Sequence, residues 1–177
     1  MENEKILLLS CCAPCSIEVI ERFIAMGKNF TVLFYNPNIQ PTEEYYKRLE
    51  ENKRLCEKLS VPFIDLEYEP SVWKVATIGL ENEPEKGKRC DKCFFLRLKK
   101  AAIYAKENHF THFTSVLGVS RYKNFEQATN IGLEISKLYG IPYIDTNWRK
   151  NGGEDTRARR AKEENLYHQT YCGCKPR

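Results

Sequence analysis

A chain of 177 residues with 42% hydrophobic and 29% charged residues fits one domain around one core and argues against a membrane-resident protein. The net charge of +4, from 28 Lys and Arg against 24 Asp and Glu, permits nucleic acid as a partner without requiring it. The first apolar run is too short for a signal-peptide core or a membrane span, so the expected compartment is the cytoplasm. There, eight cysteines point to metal or redox work rather than to a disulfide framework.

In chain order, residues 5–10 read as a buried strand that runs directly into Cys11-Cys12-Ala13-Pro14-Cys15. Pro14 suits a helix first turn, and a helix is expected over 15–26 with Ile17, Ile20, Phe23 and Ile24 on one face and Gly27 as its stop. A second strand is expected at 30–35 and a polar helix at 42–59, with Thr42 as its cap and Tyr46, Leu49, Cys56 and Leu59 along its apolar stripe. A third strand follows at 62–66, a short helix near 71–78, and then a charged loop to Lys88. A helix over 93–108 carries Phe94, Leu98, Ala101, Ala102 and Ala105 on one face. A fourth strand (110–117), a helix (124–139) with Phe125, Ala128, Ile131, Ile135 and Leu138 inward, a fifth strand opening at 142–145 and a helix (154–166) complete the order. Strands alternating with helices imply parallel β-α-β units. The fold class is therefore a three-layer, Rossmann-like α/β core of about five parallel strands, with the whole of 1–177 as one catalytic domain.

In such sheets ligands bind at the carboxyl ends of the strands, where a glycine-rich loop would cradle phosphate. Here thiols stand in that place, which suggests a metal. Cys90-Asp91-Lys92-Cys93 adds the two-residue spacing that lets two sulfurs reach one metal or cluster, a spacing shared by zinc, redox and iron–sulfur sites. The tail adds Cys172 and Cys174. Cys56 lies on a helix stripe with no partner cysteine nearby and reads as a small buried hydrophobe.

Together the Cys11–Cys15 turn, the Arg89-Cys-Asp-Lys-Cys93-Phe-Phe-Leu-Arg97-Leu98 stretch and the terminal Tyr171-Cys-Gly-Cys174 resemble the QueH-type epoxyqueuosine reductases, over nearly the whole chain. That resemblance implies an adenine-nucleotide-hydrolase-like core with its phosphate loop converted to a metal site. It implies a [4Fe–4S] cluster, and reduction of epoxyqueuosine to queuosine at the wobble position of the tRNA anticodon, the last step of queuosine formation.

Two cysteine groups meeting at one sheet edge give Cys11, Cys12, Cys90 and Cys93 as the cluster ligands, with Cys15 the substitute if either neighbour points away. Cys15, Cys172 and Cys174 are the spare thiols for a second, mononuclear iron. Alternatively Cys172 and Cys174 cycle between dithiol and disulfide, catalytic in either role. Asp91 or Tyr122 is the candidate proton donor. No Gly-x-Gly-x-x-Gly fingerprint is present, so an external electron donor is expected. Arg157, Arg159 and Arg160, within a basic run over 149–162, are candidates for anticodon phosphates or for a solvated helix face. Trp148, Tyr35, Tyr122 and Tyr167 are candidates for base stacking. His109 and His112 read as packing residues. A sulfur-transfer enzyme of the same α/β class and a zinc-stabilised RNA-binding module are the competing readings.

Overall fold

The computed structural model describes residues 3–175. Four strands, β1 (Lys5–Ser10), β2 (Asn29–Phe34), β3 (Phe63–Asp65) and β4 (His112–Ser115), form one parallel sheet in the order β3-β2-β1-β4. β1 is the central rung, with Leu7 opposite Thr31 on one side and Phe113 on the other. Its side chains alternate between two cores. Ile6 and Leu8 pack with Ile17, Ile20 and Phe23 of helix α1 (Ala13–Ala25) and with Leu55 of α2 (Thr42–Lys58). Leu7 and Leu9 pack with Phe94, Leu98 and Ala101 of α4 (Lys88–Glu107) and with Ala128 and Ile135 of α5 (Phe125–Tyr139). All four β1 residues are fully buried, each worth roughly 1.5–3 kcal/mol of apolar transfer. The remaining helices are α3 (Pro70–Ala76) and α6 (Gly153–Glu163), the latter packed on α1.

The expected fifth strand reduces to one bridge, Phe113 with Tyr143. The Phe113 N–H donates to Pro142 O (3.0 Å) and the Ile144 N–H to Phe113 O (2.9 Å). Pro142 has no N–H of its own to extend the ladder, and the chain turns away beyond Ile144. Tyr143 meets α5 where Gly132 leaves room for its ring, since a Cβ there would lie 2.5 Å from Tyr143 Cε1.

Helix facing departs from the sequence reading at three positions. Ile24 (45% exposed), Tyr46 (52%) and Leu138 (62%) face solvent, and on α2 the neighbour Tyr45 takes the inward place, stacked on Tyr68. Thr42 is the first residue of α2 rather than its cap, the cap position being Pro41. α5 is capped by Asn124 Oδ1, which accepts from the Gln127 N–H (3.2 Å), and ends at Gly140 in the left-handed region (φ 66°), where a residue without a Cβ is favoured. α4 starts five residues earlier than its apolar periodicity indicates, at Lys88 after Gly87. That early start puts both Cys90 and Cys93 in its first two turns.

Candidate metal centre

The carboxyl end of β1 delivers Ser10, Cys11 and Cys12 to the amino end of α1. A buried polar chain fixes this turn. Ser10 Oγ donates to Asn52 Oδ1 (2.6 Å) and lies 2.6 Å from Ser16 Oγ. Ser16 Oγ donates to Cys12 O (2.8 Å), and Asn36 Nδ2 donates to Ser10 O (2.9 Å). Cys12 is extended (φ −166°, ψ 157°) and α1 begins at the next residue. As a result the sulfurs of Cys11, Cys12 and Cys15 all lie within 4.8 Å of one another, with Cys11 and Cys12 Sγ 3.7 Å apart. Hydrogen bonds from Cys11 and Cys15 hold the Cys12 thiol well below the usual thiol range. Its neighbours shift the other way: Cys11 is pushed up to about 12 through its bond to Cys12, and Cys15 is raised by its bonds to both and by burial. Within the triad, Cys12 is thus the thiol favoured to ionise.

Cys90 and Cys93 are buried on α4, and Cys11 packs against the apolar cluster that contains Cys90. Cys90 Sγ accepts from the Lys86 N–H (3.3 Å), and burial raises its thiol. Between the two groups lies Arg97, one turn beyond Cys93 and 2% exposed. Its Nη1 donates to Cys93 Sγ (3.8 Å) and its Nη2 to Asn36 Oδ1. Among the described residues Arg97 makes no ion pair with a carboxylate, and its buried Nε has no partner. The charges that favour its cationic form are the sulfurs of Cys93, Cys11 and Cys172.

The tail closes the site. Lys123 Nζ donates to Cys172 Sγ at 2.6 Å. Cys172 is held well below the usual thiol range by its bond from Cys174 and by the Lys123 charge, whereas Cys174 is raised. All eight cysteines are free thiols, so the Cys172–Cys174 disulfide among the expectations is not formed here. A cleft of about 810 Å³ opens beside Cys11, Cys15 and Cys172, with Arg97, Lys123 and Arg157 among its walls. Arg149 shapes the wall at 119–123 by donating to the carbonyls of Val119 (3.2 Å), Ser120 and Lys123 (2.6 Å).

Several expected site residues lie elsewhere. Asp91 does not line the cleft; on the exposed side of α4 it accepts from Gln127 Nε2 (2.6 Å), which removes the geometric ground for a proton-donor role. Trp148 is 6% exposed and packs edge-on against Phe23 (5.3 Å), and Tyr35 is 2% exposed. Neither offers a face to a base. Tyr167 donates to Glu44 (2.7 Å) outside the cleft wall. Arg160 is committed to Glu21, Glu163 and Glu164, and Arg159 is exposed and paired with Glu163 (2.8 Å). Arg157 and Tyr122 do reach the cleft. His112 Nδ1 lies 2.9 Å from Thr111 Oγ1 at the start of β4, the opposite end of the sheet from the thiols. Arg97 and Lys123 were not singled out by sequence reasoning. The available signal was Arg97 itself, a charge on the apolar stripe Phe94–Leu98–Ala101.

Thiols crowded at the carboxyl edge of a parallel sheet, where sheets of this layout can cradle phosphate, define a Rossmann-like α/β protein with a sulfur-rich turn at its binding edge. The fold is shared with a structure titled as a predicted subunit of a tRNA methyltransferase from Methanocaldococcus jannaschii (TM-score 0.61, 13% identity, 90% of this chain and 75% of that one). It is shared also with the U34-tRNA thiolase NcsA from Methanococcus maripaludis, solved with its [4Fe-4S] cluster (TM-score 0.63, 12% identity, 99% and 62%). Residues 6–175 match the family model described as epoxyqueuosine reductase QueH. Relatives of that name from Acinetobacter baylyi and Histophilus somni are 50% and 49% identical, each over 97% of this chain and over 79% and 71% of their own lengths. The chain belongs to the epoxyqueuosine reductase QueH family.

Proposed function

We propose that this chain binds epoxyqueuosine-bearing tRNA with the modified base in the thiol-lined cleft, next to a [4Fe–4S] centre held by Cys11, Cys12, Cys90 and Cys93. Its family makes it an oxidoreductase, an epoxyqueuosine reductase acting on tRNA. The whole chain serves as one catalytic domain, its site built from the 11–15 turn, the 90–93 pair and the 172–174 tail.

The observation that carries this reading is Arg97. A buried guanidinium without a carboxylate is costly unless other anions compensate it. Among the described residues, the charges that favour it are the sulfurs of Cys93, Cys11 and Cys172, on three segments. Cys172, held low beside Lys123, meets part of that need; metal-bound thiolates on the other segments would meet the rest. The donor set is soft and all-sulfur, which suits zinc or an iron–sulfur centre. The reaction favours iron, because zinc has no redox chemistry. Cys15 shares the triad and stands as a further ligand beside Cys11 and Cys12.

When bound, such a cluster supplies single electrons, so removal of the epoxide oxygen draws two in turn from an external donor. The protein's own groups do the rest. The 120–123 wall and Arg157 receive the RNA, and the apolar cores flanking β1 back the 11–15 turn on the side away from the cleft. Arg97 balances sulfur charge from within. Lys123 holds a proton at Nζ beside Cys172 Sγ. Cys172 and Cys174 either ligate a second iron or work as a dithiol that cycles through a disulfide. No helix among the described residues is long and apolar enough to cross a membrane, and a tRNA substrate makes the cytoplasm the proposed compartment.

Replacing Cys90 or Cys93 with Ser tests the ligand set. Anaerobically reconstituted variants are expected to lose most of the visible absorbance and of the iron and sulfide content. Full iron and sulfide in both variants refutes it.

A further inference from the structure

Arg48 lies on α2, 3% exposed, outside every motif in the sequence. Its Nε donates to Glu44 Oε1 (2.8 Å), its Nη1 to Cys172 O (2.8 Å) and its Nη2 to Tyr171 O (2.9 Å). Its guanidinium carbon sits 5.3 Å from the centre of the Tyr171 ring. All three nitrogens of one buried fork are therefore used, two of them on consecutive carbonyls of the tail. The same residue's own carbonyl accepts from Asn52 Nδ2 (2.8 Å), and Asn52 accepts in turn from Ser10 Oγ at the cysteine turn. Arg48 is thus joined by its backbone to the segment that carries Cys11 and Cys12, and by its side chain to the segment that carries Cys172.

We infer that Arg48 is a positioning residue that pins the tail against α2 and fixes Cys172 Sγ in the cleft, in register with the sulfurs of the 11–15 turn. Two further contacts agree. The Gln40 N–H donates to Gly173 O (2.8 Å), and Tyr171 Oη donates to Gln40 O. Gly173 sits at φ 121°, and a Cβ there would lie 3.0 Å from Ile39 Cγ1 and 3.2 Å from Arg48 Nη1. The fork, the backbone pairing and the bare glycine together let the tail lie flat on α2. A lysine keeps the charge beside Glu44 but lacks the planar fork that serves two carbonyls at once.

The inference rests on the proposal that Cys172 takes part in the reaction, and the test separates the two. Arg48→Met, Arg48→Lys and Gly173→Ala are compared with the parent in the metal-loaded protein. Iodoacetamide labelling of Cys172 is followed by mass spectrometry at pH 9, where a released thiol is largely thiolate. Labelling is expected to accelerate about tenfold or more in all three, the change expected from losing even one charge-assisted hydrogen bond. Turnover is expected to fall with KM for tRNA unchanged. Arg48→Lys should recover the thermal stability lost in Arg48→Met without recovering the protection of Cys172, which separates positioning from a general structural role. Labelling rates within about twofold of the parent overturn the inference. So does recovery of both properties by Arg48→Lys. Should Arg48→Met fail to fold, Gly173→Ala decides alone. If a chain truncated after Tyr171 turns over fully while the labelling contrast holds, Arg48 still pins the tail and it is the role of Cys172 that fails.

Discussion

Replacing Arg97 with Met separates a structural cation from one that serves a thiolate centre. The substitution keeps much of the buried stem and removes the charge. In the metal-loaded protein it leaves Asn36 Oδ1 without its donor and the sulfurs of Cys93, Cys11 and Cys172 without their cation. An unsatisfied buried acceptor costs about 1–3 kcal/mol and a lost charge-assisted bond a similar amount, so roughly 3 kcal/mol of stability should go. For a domain of this size that corresponds to a fall of about 6–12 °C in Tm. In metal-free protein the guanidinium is a buried charge that fewer sulfur charges compensate. Removing it then relieves a penalty that offsets much of the loss. Thermal unfolding of parent and Arg97→Met, each loaded and chelated under anaerobic conditions, measures the difference. The loaded pair should differ by about twice as much as the chelated pair or more. Equal falls in the two states would show that Arg97 serves packing and Asn36 alone.

The cleft and α6 assign different duties to the basic residues. Arg157→Gln should weaken tRNA binding and reduce the salt slope by about 0.7, one phosphate contact to a single strand, whereas Arg160→Gln should leave affinity and slope unchanged because Arg160 is held by three carboxylates. An unaltered slope for Arg157→Gln would place the RNA elsewhere. Trp148→Ala should cost about 3–5 kcal/mol on urea unfolding, with no change in RNA affinity once folded; a selective loss of affinity would restore a recognition role. Cys56 has its thiol pushed up to about 12, mainly by burial. The unfolded chain ionises first, so its contribution is present at neutral pH and drains away between about pH 8.5 and 12, at about 1.4 kcal/mol per pH unit. Cys56→Ala should therefore lose stability less steeply than the parent above pH 8.5 while keeping full cluster absorbance; parallel pH profiles would show that this thiol ionises as freely in the folded protein.

Periodicity made much of this molecule legible. β1 reads as a continuous apolar run because both of its faces are buried, and the Cys11–Cys15 turn reads as a site because cysteines sit where the chain must turn. The helix stripes were read to within a residue, and the Tyr45–Tyr46 exchange shows the limit: two adjacent tyrosines are equivalent in pattern, and only packing against Tyr68 chooses between them. The first turn of α4 is hidden in the sequence because Lys88, Arg89 and Asp91 carry no apolar signal, although Gly87 marks the boundary. Pro142-Tyr143-Ile144 has strand composition, yet a proline carbonyl and one N–H make a single bridge rather than a fifth strand. The cations of the site are the real omission. Arg48 and Lys123 are held by groups 26 to 124 residues away in sequence, which no local pattern encodes, whereas Arg97 shows as a charge on the apolar stripe of α4. Trp148 and Arg160 are candidates for RNA contact by composition, with packing and a solvated helix face as the alternatives, and Phe23 and Glu21 of α1 already occupy them.

The central claim is tested most directly by anaerobic incubation of tRNA carrying epoxyqueuosine with a one-electron reductant and this chain, either reconstituted with iron and sulfide or stripped of metal, followed by mass analysis of the released nucleoside. The reconstituted protein is expected to convert epoxyqueuosine to queuosine, with loss of one oxygen and consumption of two electrons per product, and the stripped protein to convert none. Equal conversion by the stripped protein, or no conversion by a protein carrying its full iron and sulfide, would contradict the account.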